Sequence, residues 1–180
     1  NGQIGGNQPA WTGVDYVDAF GNEQLPEVQQ IEAIQSGTLY PYMQNYKAYR
    51  CPTGLRGEMR SYSIVLPMNG ARSTTVREGN YVLRPLKRTE ISFPALRMVF
   101  IDEGRQTSMD FAVHYTNEWW WDPAECRHGD GQTFSFADGH ADYHKWVGSK
   151  TISNAKLPIT SARHQMQPVS EEDYQDLYWF

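Results

Sequence analysis

Long hydrophobic runs, basic clusters and closely spaced cysteines are all missing from this chain of 180 residues. No apolar run approaches the ~18 residues of a membrane helix, which excludes a spanning segment within these residues. The polar, glycine-rich start NGQIGGNQPAW is unlike a signal peptide. The formal net charge is -5, and no Lys/Arg cluster is longer than two residues. Phosphate binding needs a basic stripe, so a nucleic-acid surface is excluded and no nucleic-acid partner is expected. Only Cys51 and Cys126 are present, far apart and without a CxxC partner, which argues against a structural zinc site. GxSxG, P-loop and dinucleotide fingerprints are absent too, removing the commonest nucleophile and nucleotide sites.

What the chain has instead is aromatic residues: 11 Tyr, 7 Phe and 6 Trp, which must supply much of the core of a single domain. Residues 1–25 show no sustained period and read as an irregular leader that packs against the rest through Trp11, Tyr16 or Phe20. From Pro26, PEVQQIEAIQSG places Val28, Ile31 and Ile34 on one helical face and stops at Gly37. The tyrosine-rich stretch TLYPYMQNYKAYRCP, interrupted by Pro41, predicts a second short helical turn running into extended chain. RSYSIVL (60–66) and RMVFIDEG (97–104) read as strands, joined by a long connection that has room for a short strand at NYVLR (80–84). Residues 26–147 are the globular domain. Residues 148–180 are a linker followed by a C-terminal helix, SEEDYQDLYWF, with Ser170 and Asp173 as a capping-box variant.

TFSFA and HADYHKW flank Asp138-Gly139, a pair suited to a two-residue type I′ turn. Such a turn would oppose Phe136 to Ala141, Ser135 to Asp142, Phe134 to Tyr143 and Thr133 to His144. Phe134, Phe136, Ala141 and Tyr143 would then form an apolar face, and Thr133, Ser135, His140, Asp142 and His144 a polar one. His140 and His144 lie roughly 13 Å apart along an extended strand, too far to share one zinc ion.

The oxygen donors Asp102, Glu103, Asp122, Glu125, Asp130 and Asp138 fall in loop-like contexts that suit either calcium or, more simply, solvated turns; no EF-hand spacing is present, and Asp138 is also what the Asp-Gly turn itself requires. His128 either pairs with Asp130 or Asp138 as a base or bonds locally to hold its loop. In the run Trp119-Trp120-Trp121, strand alternation puts Trp119 and Trp121 on one face and Trp120 on the other. That run is a platform for a sugar ring, or it is core and subunit interface. Two functional classes thus stay open beside a structural role. One is a surface carbohydrate-binding module using Trp119–Trp121; the other is a metal-dependent hydrolase using His128, Asp138 and His140.

His128, the nine residues GDGQTFSFA and then Asp138-Gly139 spell H-x9-DG. Upstream, GTLYPYMQNYKAYRCP, RSYSI and FIDEG precede RHGDGQTFSFADGHADYHKW in order. Over residues 25–146 the chain resembles the prepilin-like or pseudopilin-like proteins that carry an H-x9-DG processing-associated domain. The resemblance implies an α+β fold: a pilin-like globular domain with an N-terminal helical part and an antiparallel β-sheet. It also implies a hydrophobic helix before Asn1, cut and methylated by a prepilin peptidase, although the chain itself begins at NGQIGG. Such proteins are exported, non-enzymatic filament subunits. Their partners are copies of themselves or related pilin-like subunits, together with the inner-membrane assembly machinery reached through that helix. His128, Asp138 and Gly139 become the family signature. No cofactor is required, but related pseudopilins bind calcium near the C-terminal part of the sheet, which offers Asp102, Asp122 and Asp138 as ligands. Export also favours a Cys51–Cys126 disulfide.

Overall fold

The computed structural model describes residues 10–16, 24–68, 85, 88–103, 110–114, 117–158 and 165–180, and every structural statement below concerns these. Seven strands follow the β-forming stretches: β1 (Tyr62–Val65), β2 (Met98–Asp102), β3 (Asp110–Phe111), β4 (Val113–His114), β5 (Trp119–Trp120), β6 (Gly131–Phe136) and β7 (Ala141–Lys145). Five make one sheet in the order β3-β1-β2-β6-β7, while β4 and β5 pair separately. The strand expectations at 60–66 and 97–104 therefore hold, and the one at 80–84 lies outside the described residues. The all-antiparallel expectation does not hold. β1 runs parallel to β3 through Ile64↔Asp110 and Val65↔Phe111, because the chain leaves β2 and returns on the far side of β1. The architecture is α+β with a mixed sheet.

Side chains alternate across β2, so its two faces bury different sets of residues. Ile64 opposite Phe100 belongs to a cluster with Trp11, Ile34, Tyr49 and Met59. Ile101 opposite Phe134 belongs to the other, with Phe111, Trp120, Trp146, Met166 and Leu177. The N-terminal part covers the first face with α1 (Glu27–Gln35), α2 (Tyr40–Met43) and a 3-10 turn at Tyr46–Tyr49. In the described part of the leader, Trp11 stacks on Tyr49 at 5.8 Å, and a Cβ at Gly37 would collide with the Trp11 carbonyl; Phe20 lies outside the described residues. On α1, Ile34 is buried as its period predicts, but Val28 is 65% exposed. Gln30 goes inside in its stead, because its amide donates to the carbonyls of Leu25 and Gly57 and accepts from Met59 N–H. A buried polar side chain with that many partners carries no unsatisfied group.

The second face is closed by α3 (Ser149–Ala155) and α4 (Glu171–Tyr178). Ser170 and Asp173 form the expected capping box. The linker expected after residue 148 begins with α3, and the N–H groups at and just before its start find their acceptors on α4: Asp176 takes Val147 and Gly148, and Asp173 takes Lys150 and Thr151. Between sheet and helices the aromatic residues meet edge to face, Trp120 on Trp146 at 5.7 Å and on Phe180 at 5.2 Å. Such pairs add about 0.5–1.5 kcal/mol each beyond the area they bury.

The β6–β7 hairpin forms, but one residue out of the expected register. Phe134 lies opposite Asp142, Gln132 opposite His144 and Thr133 opposite Tyr143. A type I′ turn needs positive φ at both central residues, and here only Gly139 has it, at 100°. The loop is Ala137-Asp138-Gly139, closed by Gly139 N–H to Phe136 O (3.0 Å) and Phe136 N–H to His140 O (2.9 Å). Because the side-chain period is two, that single step exchanges the faces. His140, Asp142 and His144 share a face with Phe134 and Phe136, and Tyr143 shares the other with Thr133. His140 lies flat on Phe136 at 4.3 Å, and His144 stacks on Trp179 at 4.4 Å. The expected polar face of Thr133, Ser135, His140, Asp142 and His144 therefore does not form, because Phe134 and Phe136 take the places of Thr133 and Ser135.

Candidate functional site

Four stretches from distant parts of the chain meet at one end of the sheet. Cys51 follows the 3-10 turn, and its N–H donates to Ser61 Oγ at 2.6 Å. Ser61 in turn accepts Glu103 N–H through its carbonyl, at 2.8 Å, which ties the start of β1 to the end of β2. Asp102 ends β2, and its carbonyl receives the amide of Gln132 from β6. His128 sits in the turn before β6, where Gly129 and Asp130 both have positive φ and Tyr143 Oη donates to His128 O at 2.7 Å. These backbone ties bring three side chains together: His128 Nε2 lies 3.0 Å from Asp102 Oδ2 and 3.6 Å from Cys51 Sγ.

Cys51 and Asp102 are buried, and the His128 side chain keeps 29% of its surface exposed. Thr53 Oγ1 lies 3.1 Å from Cys51 Sγ. Burial pushes the Tyr62 hydroxyl up to about 12, helped by the neighbouring Cys51 and Asp102. Burial also raises Asp102, and Arg127 and His128 only partly offset it. Arg127 lies between three acids, 3.4 Å from Glu58, 3.5 Å from Asp102 and 3.7 Å from Glu125. Burial disfavours its charge, but those carboxylates more than compensate and hold it protonated. Thiol and carboxylate approach the same imidazole nitrogen. A nucleophilic triad needs them on opposite nitrogens, the acid orienting the ring and the base facing the nucleophile, so this cluster is not wired for proton relay.

The other sequence candidates lie elsewhere. Asp122 Oδ2 accepts Ala112 N–H at 2.7 Å, pinning the segment beside β4 and β5. Asp138 sits in the exposed hairpin turn, where the backbone N–H and the ring of His140 bond to it and hold its carboxyl below the usual range. Asp102, Asp122 and Asp138 therefore do not gather at one ion. Among the described residues, the one group of three or more with converging ligand atoms is Cys51, Asp102 and His128. The hydrolase trio is likewise not assembled, since His140 pairs with Asp138 while His128 faces Asp102. Cys51 and Cys126 do not form a disulfide with each other. Trp120 is fully buried in the aromatic core, whereas Trp119 stacks on His114 at 4.9 Å and Trp121, 45% exposed, lies 5.3 Å from Trp119. The alternation expected of the three tryptophans is correct.

Within the H-x9-DG signature, His128 stands before β6 and Asp138-Gly139 stand after it, so the spacing is the length of one strand and its flanking turns. Residue-by-residue chemistry missed Cys51, Tyr62, Glu58 and Arg127. The signal was in the ordered stretches themselves: RCP supplies Cys51, RSYSI supplies Tyr62, FIDEG supplies Asp102 and RHGDG supplies Arg127 and His128.

Among the described residues, no helix is long and apolar enough to cross a membrane. No protein-family model matches the chain, and neither the curated proteins nor the solved structures contain a significant match to it.

Proposed function

We propose that the chain is the exported globular domain of a pseudopilin-like or type IV pilin-like filament subunit, with a structural and not an enzymatic role. A hydrophobic helix before Asn1 would anchor it in the membrane and engage the assembly machinery, and its partners would be copies of itself or related pilin-like subunits. The observation that carries this reading is the convergence of the four resembling stretches. Cys51, Tyr62, Asp102 and His128 come from four landmarks and meet in one packed cluster, while the DG pair makes the turn at the far end of β6. The landmarks thus form a common framework for the fold, and the arrangement of thiol and acid on one nitrogen fits a structural use of it.

A second reading rests on a different observation. Trp119, His114 and Trp121 form a layered group of rings with Trp121 exposed, an arrangement that suits stacking on a sugar as well as on a neighbouring subunit. The coding sequence immediately upstream of Asn1 separates the two. The filament reading expects a short basic leader, a glycine cleavage site and ~20 apolar residues with a glutamate near their start. A conventional cleaved signal peptide in that place would remove filament assembly and leave glycan binding as the better account.

A further inference from the structure

We propose that Cys51, Asp102 and His128 form a binding site for one borderline-soft divalent cation, with Zn2+ as the first candidate. The site goes beyond the filament reading and does not depend on it. One thiolate, one imidazole and one carboxylate are a ligand set that such a cation takes, in contrast to the all-oxygen shell that calcium requires. The three ligand atoms lie within 4.8 Å of one another. In a tetrahedral zinc site with bonds of about 2.0–2.3 Å, neighbouring ligands stand about 3.3–3.6 Å apart. The Cys51 Sγ to His128 Nε2 separation of 3.6 Å already has that length, and the 3.0 Å from Nε2 to Asp102 Oδ2 needs only a small opening.

Sulfur and oxygen converge on the same nitrogen, as ligands arranged around one point do. Charge balances as well, because a thiolate and a carboxylate neutralise a divalent ion in a buried place. Arg127 does not stand in the gap: it holds Asp102 Oδ1, whereas Oδ2 faces His128, so it acts as the outer partner that orients a ligating carboxylate. The exposed edge of His128 leaves the fourth position to solvent or to the Thr53 hydroxyl beside Cys51. A cation there would tie the segment after the 3-10 turn to the end of β2 and to the turn before β6, adding to the hydrogen bonds and the Arg127–Asp102 ion pair already there.

The test is titration of the chelator-treated full chain with Co2+, followed by displacement with Zn2+. One Co2+ per chain is expected, with a tetrahedral visible spectrum and a thiolate-to-cobalt charge-transfer band. Cys51→Ser should abolish the band, Asp102→Asn should weaken binding at least tenfold, and Cys126→Ser should leave both intact, near-UV circular dichroism confirming that each variant is folded. If Cys51→Ser does not fold, alkylation of the unaltered chain decides: Zn2+ should protect Cys51 and not Cys126, read by mass spectrometry. Absence of the band, its survival in folded Cys51→Ser, or equal alkylation of Cys51 with and without Zn2+ would overturn the proposal.

Discussion

Asp173 on α4 accepts the backbone N–H of Thr151 on α3 at 3.1 Å, so a carboxylate that caps its own helix also caps the one before it. Its Oδ1 takes Lys150 and Thr151, and its Oδ2 takes Val169 and Ser170. Burial alone would raise its pKa, but the backbone donors outweigh that and hold it below the ordinary 3.8. With a depressed folded pKa, its contribution to stability is complete above about pH 4 and is lost as the pH falls below that. Asp173→Ala should cost about 2 kcal/mol or more at pH 7, as two caps go at once. The cost should shrink in acid, which equilibrium unfolding at pH 7 and pH 3 would show.

Glu103 behaves in the opposite sense. Its carboxylate is fully buried, with Asp122 nearby, and burial first and that acid second push its pKa well above the ordinary 4.5. Ser63 and Arg60 lie close enough to offset this in part, although neither carboxylate oxygen has a hydrogen bond of full geometry. A raised folded pKa means that the native state holds a proton the unfolded chain has lost, so stability falls as the pH rises above about 4.5. Glu103→Gln should therefore raise Tm at pH 8 by about 2–4 °C, the equivalent of roughly 1 kcal/mol for a chain of this size. The gain should vanish at pH 4, and a variant less stable than the parent at pH 8 would contradict this account of Glu103.

Gly139 closes the β6–β7 loop with φ at 100°, and a Cβ there would meet nothing within 4 Å. The penalty for a side chain is thus one of backbone conformation alone, about 1–2 kcal/mol. Gly139→Ala should show that loss in chemical denaturation without changing the folded spectrum. Asn, which tolerates the left-handed region better, should recover part of it.

The three tryptophans should separate cleanly. Trp120→Ala removes a fully buried ring and should cost about 3–5 kcal/mol. Trp121→Ala removes an exposed one and should leave Tm within a degree or two. If Trp121 meets a sugar, its loss should abolish retention on a glycan array; if the parent chain retains no glycan at all, the exposed ring is left to a subunit contact.

Local signals were legible wherever the chemistry was local. The helix α1, the alternation of β1 and β2 and the Ser170–Asp173 cap were readable because each rests on residues a few positions apart. The hairpin was readable in place but not in register, since the turn type rests on the φ of Asp138, which an Asp-Gly pair leaves free to take either sign. α3 was hidden because its caps lie on α4, and β3 because its partner β1 lies far back in the chain. Cys51, Asp102 and His128 come from three elements, and no spacing rule joins them. Only the order of the resembling stretches pointed there.

The most direct test of the filament reading is the mass and sequence of the mature N-terminus of the native protein, isolated from its cell envelope. The account predicts a chain that starts on a methylated residue just after a glycine cleavage site and continues through a hydrophobic helix into NGQIGG. A mature chain that begins after an ordinary signal-peptidase site, with no hydrophobic helix ahead of Asn1, would contradict it.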